Sequence, residues 1–114
     1  MIAASRREVE LYRLLDPRDG RVRYVGQTST GLDTRLANHC ETRNDGSARG
    51  AWICELFSIG MRPRIESAGR SPAGVADEYS EMQRQVDAGE RLLNVRGPWW
   101  RMPAPKRARK SRAA

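Results

Sequence analysis

Six side chains stand out because their types could act together on a phosphate ester: Tyr12, Tyr24, Arg35, His39, Glu78 and Asn94. Hydrolysis of a phosphodiester needs a positioned water, charge stabilisation on the phosphate and help for the leaving oxygen. A guanidinium pairs with phosphate oxygens through a rigid fork and cannot act as a proton-transfer base. The chain has one histidine, and imidazole, with an unperturbed pKa of ~6.5, is the ready proton shuttle near neutrality. A phenol at ~10 is a poor base at pH 7 unless nearby positive charge lowers it or it relays a proton. A glutamate offers a hard oxygen ligand suited to Mg²⁺ or Mn²⁺. Taken singly, each residue has a plain explanation. Strand tyrosines are ordinary sheet residues, and an Arg–His pair four apart is usually a solvated helix face. Glutamate in a first helical turn answers the helix dipole, and asparagine after an apolar run is a turn former. The joint pattern carries the argument.

The elements that must position these groups follow from periodicity. Val9 and Leu11 alternate with charged residues before Leu14-Leu15, which predicts a strand over Glu8 to Leu15. Asp16-Pro17-Arg18-Asp19-Gly20 reads as a turn, and Arg21 to Gln27 alternates again, so the two runs form a β-hairpin. Leu32, Leu36, His39 and Cys40 recur at helical spacing behind Gly31 or Asp33, with Arg35 and His39 on one face. Thr42 to Gly50 reads as a loop, Ala51 to Ile59 as a helix with Trp52, Ile53, Leu56 and Phe57 inward, and Arg62 to Ser67 as a third strand. Ser71-Pro72 opens a last helix with Val75, Tyr79, Met82 and Val86 inward, stopped by Gly89. Leu92 to Val95 is a final extended piece. The order β-β-α-α-β-α predicts a small single α+β domain over 8–96, an antiparallel three-stranded sheet flanked by helices.

Composition narrows the class. The chain has 114 residues, room for one domain. Mean hydropathy is −0.73, and no apolar run approaches the ~18 residues of a membrane span. No secretory signal is evident. Cys40 and Cys54 form no CxxC and no zinc or disulfide framework, which fits a reducing, cytoplasmic compartment. The net charge is +7, yet residues 1–96 carry 15 basic and 14 acidic side chains. The excess lies in a 97–114 tail with Arg101, Lys106, Arg107, Arg109, Lys110 and Arg112 and no acid. With Pro98, Pro103 and Pro105 and no apolar period, the tail reads as a disordered nucleic-acid-binding arm, or else a solubiliser. Trp99-Trp100 are expected to dock on the domain rather than stack on bases.

Glu10-Leu11-Tyr12 and Tyr24-Val25-Gly26, twelve residues apart from tyrosine to tyrosine, resemble the two motifs that name the GIY-YIG nuclease domain. Leu32-x-x-Arg35-Leu36-x-x-His39 is similar to that family's arginine-bearing helix. Ala51-Trp52-Ile53-x-x-Leu56-x-x-x-Gly60-x-x-Pro63 and Leu92-Leu93-Asn94 match its later motifs, so the resemblance covers roughly residues 9 to 95. Glu10 and Leu11 replace the usual Gly and Ile, and Glu81-Met82 stand where members often have Trp-Ile.

The resemblance implies a metal-dependent DNA endonuclease leaving 5′-phosphate and 3′-hydroxyl ends through one Mg²⁺ or Mn²⁺ ion. It makes Glu78 the metal ligand, with Glu81 the other candidate, and Arg35 the phosphate clamp. Tyr12 is the general base or water-orienting residue, and Tyr24 orients nucleophile or phosphate. His39 takes a proton from Tyr12 or bonds the phosphate. Asn94 holds the site's backbone rather than reacting, and Gly26 lets the strand approach without a Cβ. The expected partner is DNA, read with low sequence specificity because a basic tail grips phosphates without reading bases. Cutting both strands would call for two molecules, as in a homodimer, or two events, and a separate targeting partner is the alternative to a homodimer as a protein partner. The alternative is a catalytically inactive nucleic-acid-binding protein that retains the fold.

Overall fold

Alternation along the first two segments builds the hairpin that everything else is hung on. The computed structural model describes residues 8–72 and 74–94, apart from the side chain of Val75. Strand β1 (Val9–Leu15) lies at the centre of a three-stranded antiparallel sheet of order β2-β1-β3, with β2 (Val22–Thr28) and β3 (Arg64–Ser71) at its sides. The helices are α1 (Leu32–Glu41), α2 (Ala48–Ser58) and α3 (Val75–Asp87). The element order is the one the sequence predicts. The tail and its two tryptophans, together with Val95, fall outside the described residues.

Period-2 patterning gives the sheet two apolar faces, and helices cover both. Tyr12 and Leu14 pack with Cys40, Trp52, Ile53 and Leu56 of α1 and α2. Val22 and Val25 pack with Met82 of α3. The hairpin turn is pinned to α2 by one carboxylate. Asp16 is fully buried and accepts from Trp52 Nε1 at 2.9 Å and from Arg18 Nη2 at 2.7 Å. Bonding to the Arg18 guanidinium holds Asp16 far below the usual carboxylate range. Gly20 closes the turn at φ 74°, a left-handed conformation that favours glycine.

Three boundaries differ from the sequence reading. Helix α2 begins at Ala48, not Ala51, because Ser47 Oγ accepts the Gly50 amide at 2.9 Å and caps the first turn. Gly50, which reads as a loop glycine, sits where a Cβ would collide with the Arg43 carbonyl, so the 42–47 loop packs directly on α2. Strand β3 runs from Arg64 to Ser71 rather than over 62–67, with a register shift that leaves Ala68 unpaired between Leu11↔Gly69 and Tyr12↔Ser67. Ser71 therefore ends a strand and starts no helix. Its hydroxyl still serves the entry to α3, accepting the Gly74 amide at 3.0 Å and donating to the Asp77 carboxylate. On α3 the inward stripe is shorter than predicted. Met82 is buried, whereas Val86 is 38% exposed. The Leu92–Asn94 piece is no strand, but it follows the edge of β2 through Leu93 N–H to Arg23 O at 2.6 Å.

Candidate active site

Register decides the site's centre. Tyr12 and Gly26 are direct partners across β1 and β2, so the Tyr12 ring lies over the one position of β2 without a side chain. A Cβ at Gly26 would overlap the phenol ring and hydroxyl. Tyr12 is fully buried, and α1 closes over it with two residues four apart. His39 Nε2 is 2.6 Å from the Tyr12 hydroxyl oxygen, and Arg35 Nε donates to that oxygen at 3.1 Å. Arginine can only donate, so the hydroxyl oxygen accepts from Arg35, and either the phenol or the imidazole supplies the hydrogen shared between Tyr12 and His39. The result is a hydrogen-bonded chain of Arg35, Tyr12 and His39.

Burial sets the resting protonation of that chain. Desolvation, then the charges of Arg35 and Arg49, bring His39 down to about 4, so it is neutral at pH 7. Desolvation pushes Tyr12 up to about 12 against the opposing pull of Arg35. Both shifts act in the same sense and keep the proton on the phenol in the free site. Tyrosinate is not the resting form.

Tyr24 completes the aromatic wall. Its ring centroid lies 5.3 Å from that of His39 and 6.4 Å from that of Tyr12. The half-buried Tyr24 hydroxyl makes no hydrogen bond among the described residues, which leaves it open to an incoming group. Arg35 likewise spends only Nε on Tyr12 and pairs with no carboxylate among the described residues.

Glu78 and Glu81 are one helical turn apart and have opposite fates. Glu81 is 1% exposed and saturated, accepting from Arg13 at 2.7 Å, Arg84 at 2.7 Å and Gln85 at 2.7 Å. Glu78 is half-buried and accepts one bond, from Gln27 Nε2 at 3.1 Å. Its charge is felt at Tyr12 and Arg35, and burial raises its pKa despite Gln27 and Arg35. An under-neutralised carboxylate of this kind suits a hard divalent cation. Among the described residues no three His, Cys, Asp or Glu side chains group as a metal cage. An ion here would have Glu78 as its protein ligand and take its other ligands from water and phosphate.

Asn94 acts on backbone. Its Oδ1 accepts from the Val25 amide at 3.0 Å and its Nδ2 donates to the Val25 carbonyl at 2.8 Å. It substitutes for a neighbouring strand along β2, one residue before Gly26. Asp77 is tied to Ser71 at the entry to α3. The tail cations Arg101, Lys106, Arg107, Arg109, Lys110 and Arg112 lie outside the described residues. Sequence reading passed over two contributors. Gln27, next to Gly26, orients Glu78. Arg49, held by Asp45 at 2.8 Å, lies 5.4 Å from the Tyr24 ring centroid, and its Nε is buried without a partner among the described residues. It escaped notice because residues 42–50 read as loop. The alternation that placed Tyr24 on one face would have put Gln27 on the other, toward α3.

No family model, curated protein or solved structure matches the chain. No helix among the described residues is long and apolar enough to cross a membrane.

Proposed function

We propose that this chain is a metal-dependent DNA endonuclease of the GIY-YIG type, acting in the cytoplasm with one Mg²⁺ or Mn²⁺ ion at Glu78. The observation that carries this reading is the hydrogen-bonded chain Arg35–Tyr12–His39, set over Gly26 with Glu78 in electrostatic reach. A buried phenol held between a fixed cation and a neutral imidazole has no packing rationale of its own. A phenylalanine would fill the same space without desolvating a hydroxyl.

Each residue then has a task. The free nitrogens of Arg35 hold the scissile phosphate and stabilise the charge that builds on it. Tyr24 positions the attacking water or a phosphate oxygen through its open hydroxyl. A water proton passes to the Tyr12 oxygen as Tyr12's own proton passes to His39 Nε2, so free tyrosinate is never required. Negative charge gathering on the phosphate offsets Arg35, one of the groups that depress His39. Glu78 would hold a divalent ion, which would supply Lewis-acid stabilisation to the phosphate and leaving oxygen and lower the phenol pKa through its charge. Asn94 keeps β2 in place beneath this assembly.

The resemblance to the GIY-YIG domain implies 5′-phosphate and 3′-hydroxyl ends. Mapping end-labelled products with phosphatase and ligase checks it. Nicks that DNA ligase seals directly are expected, and 3′-phosphate ends would overturn the mechanism.

A further inference from the structure

A cleft of about 430 Å³ opens between the C-terminal ends of α1 and α2, and no residue of the Arg35–Tyr12–His39 chain lines it. Its floor is apolar, from Cys40, Phe57 and Met61, and Arg43, Arg62 and Glu41 stand around it. The Arg43 guanidinium lies 4.1 Å from the Phe57 ring centroid and is fixed there by donation to the Cys40 carbonyl at 2.6 Å. Arg62 makes one weak contact, to Cys40 Sγ at 3.9 Å. Neither arginine has a carboxylate in ion-pair reach among the described residues. Several arginines elsewhere are neutralised, Arg13 by Glu66 and Glu81, Arg18 by Asp16, Arg70 by Glu8 and Arg84 by Glu81, whereas Arg35, Arg64 and Arg91, like these two, pair with no carboxylate among the described residues. Met61 at the cleft is 37% exposed and Ile59 beside it 55% exposed.

These features select for one ligand chemistry. Two cations without acids favour an anion. An apolar floor with a guanidinium plane already stacked on a phenyl ring favours a flat aromatic group. Glu41 repels phosphate from its side of the cleft but accepts N–H groups from a base edge. A nucleotide with an unpaired base satisfies all three, and the backbone of a closed duplex satisfies only the first. The cleft is also placed for it. Arg43 lies two residues past the end of α1 and eight beyond Arg35, roughly 12 Å at helical rise, so a strand gripped at Arg35 reaches the cleft within a few nucleotides.

We propose that the cleft between α1 and α2 takes an unpaired nucleotide of the substrate strand near the cut, its base stacked on Arg43 and its phosphate on Arg62. The preferred substrate is then DNA with a single-stranded segment. This rests on the reading of the site as one that acts on DNA.

The test is binding by the full chain in EDTA, where no cleavage intervenes. The probes are a short single-stranded oligonucleotide carrying 2-aminopurine and the same sequence as a closed duplex. Anisotropy reads affinity and 2-aminopurine emission reads stacking. Wild type is expected to quench the unpaired probe. Met61→Glu, at an exposed position, is expected to weaken single-strand binding roughly tenfold, the scale of one base-stacking contact, and duplex binding far less. Arg62→Glu gives a second exposed variant with the same expectation. Arg43→Lys keeps the charge but loses the plane, so the quench should fall. Wild-type-like binding of both probes by these variants would overturn the proposal, as would equal losses on both. A chain that shows the single-strand preference but never cleaves keeps the cleft and loses the nuclease reading. One that cleaves while its cleft variants bind normally does the reverse.

Discussion

At the residue scale the account turns on a histidine that stays neutral because it is buried beside two arginines. His39 is 3% exposed, bonds Tyr12 at 2.6 Å and is held down to about 4. It is the chain's one histidine, so its imidazole proton resonance can be titrated without ambiguity. A midpoint near 4 is expected, and one at or above the ordinary ~6.5 would contradict the burial and bonding described. The same shift links to stability. The unfolded chain takes up the proton first, so stability is complete above about 6.5 and is lost as pH falls through that value toward 4, by about 3 kcal/mol in total. Denaturant unfolding across that range checks the direction. The candidate catalytic set was legible because phenol, guanidinium, imidazole and carboxylate recur at spacings that strands and helices turn into proximity. Arg49 was not, because its importance comes from standing by Tyr24 and His39. Nor was the choice between Glu78 and Glu81. That depends on Arg13, 68 residues from Glu81 in the chain, whose guanidinium lies 2.7 Å from the Glu81 carboxylate.

At the element scale the hairpin register puts Gly26 opposite Tyr12, and that pairing is the most sensitive point in the fold. The Gly26→Ala variant adds a methyl group inside van der Waals distance of the phenol. The ring must move, at a cost of about 1–3 kcal/mol, and the bond to His39 must lengthen. The expected result is a lower denaturant midpoint together with a His39 titration moved back toward its ordinary value. Wild-type behaviour in both would mean that Gly26 does not set the position of Tyr12. The hairpin and α1 were readable from alternation and i, i+4 spacing because those patterns are local. The early start of α2 was hidden by Gly50, a poor helix residue that is needed where the Arg43 carbonyl comes close. The length of β3 was hidden by the unpaired Ala68, which breaks the alternation in mid-strand. Leu92–Asn94 reads as an extended piece outside the sheet, and it meets β2 through one backbone bond and the Asn94 amide.

At the scale of the whole molecule, charge and chemistry are separated along the chain. Residues 1–96 are close to neutral, and six cations with no acid follow in the tail. If the tail grips phosphates, removing residues 97–114 should reduce the slope of log affinity against log salt by up to about 5, from ~0.9 per neutralised phosphate. An unchanged slope would make the tail a solubiliser. The central claim, that the Tyr12, Arg35, His39 and Glu78 cluster hydrolyses DNA with a bound divalent ion, is met most directly by nicking of supercoiled plasmid. The assay compares Mg²⁺ with EDTA, and wild type with Glu78→Gln. The account predicts relaxed circles from wild type in Mg²⁺, none in EDTA, and a loss of at least about a hundredfold in the variant. Nicking that survives both EDTA and Glu78→Gln, or its absence on plasmid and single-stranded DNA alike, would contradict it and leave a nucleic-acid-binding domain without catalysis.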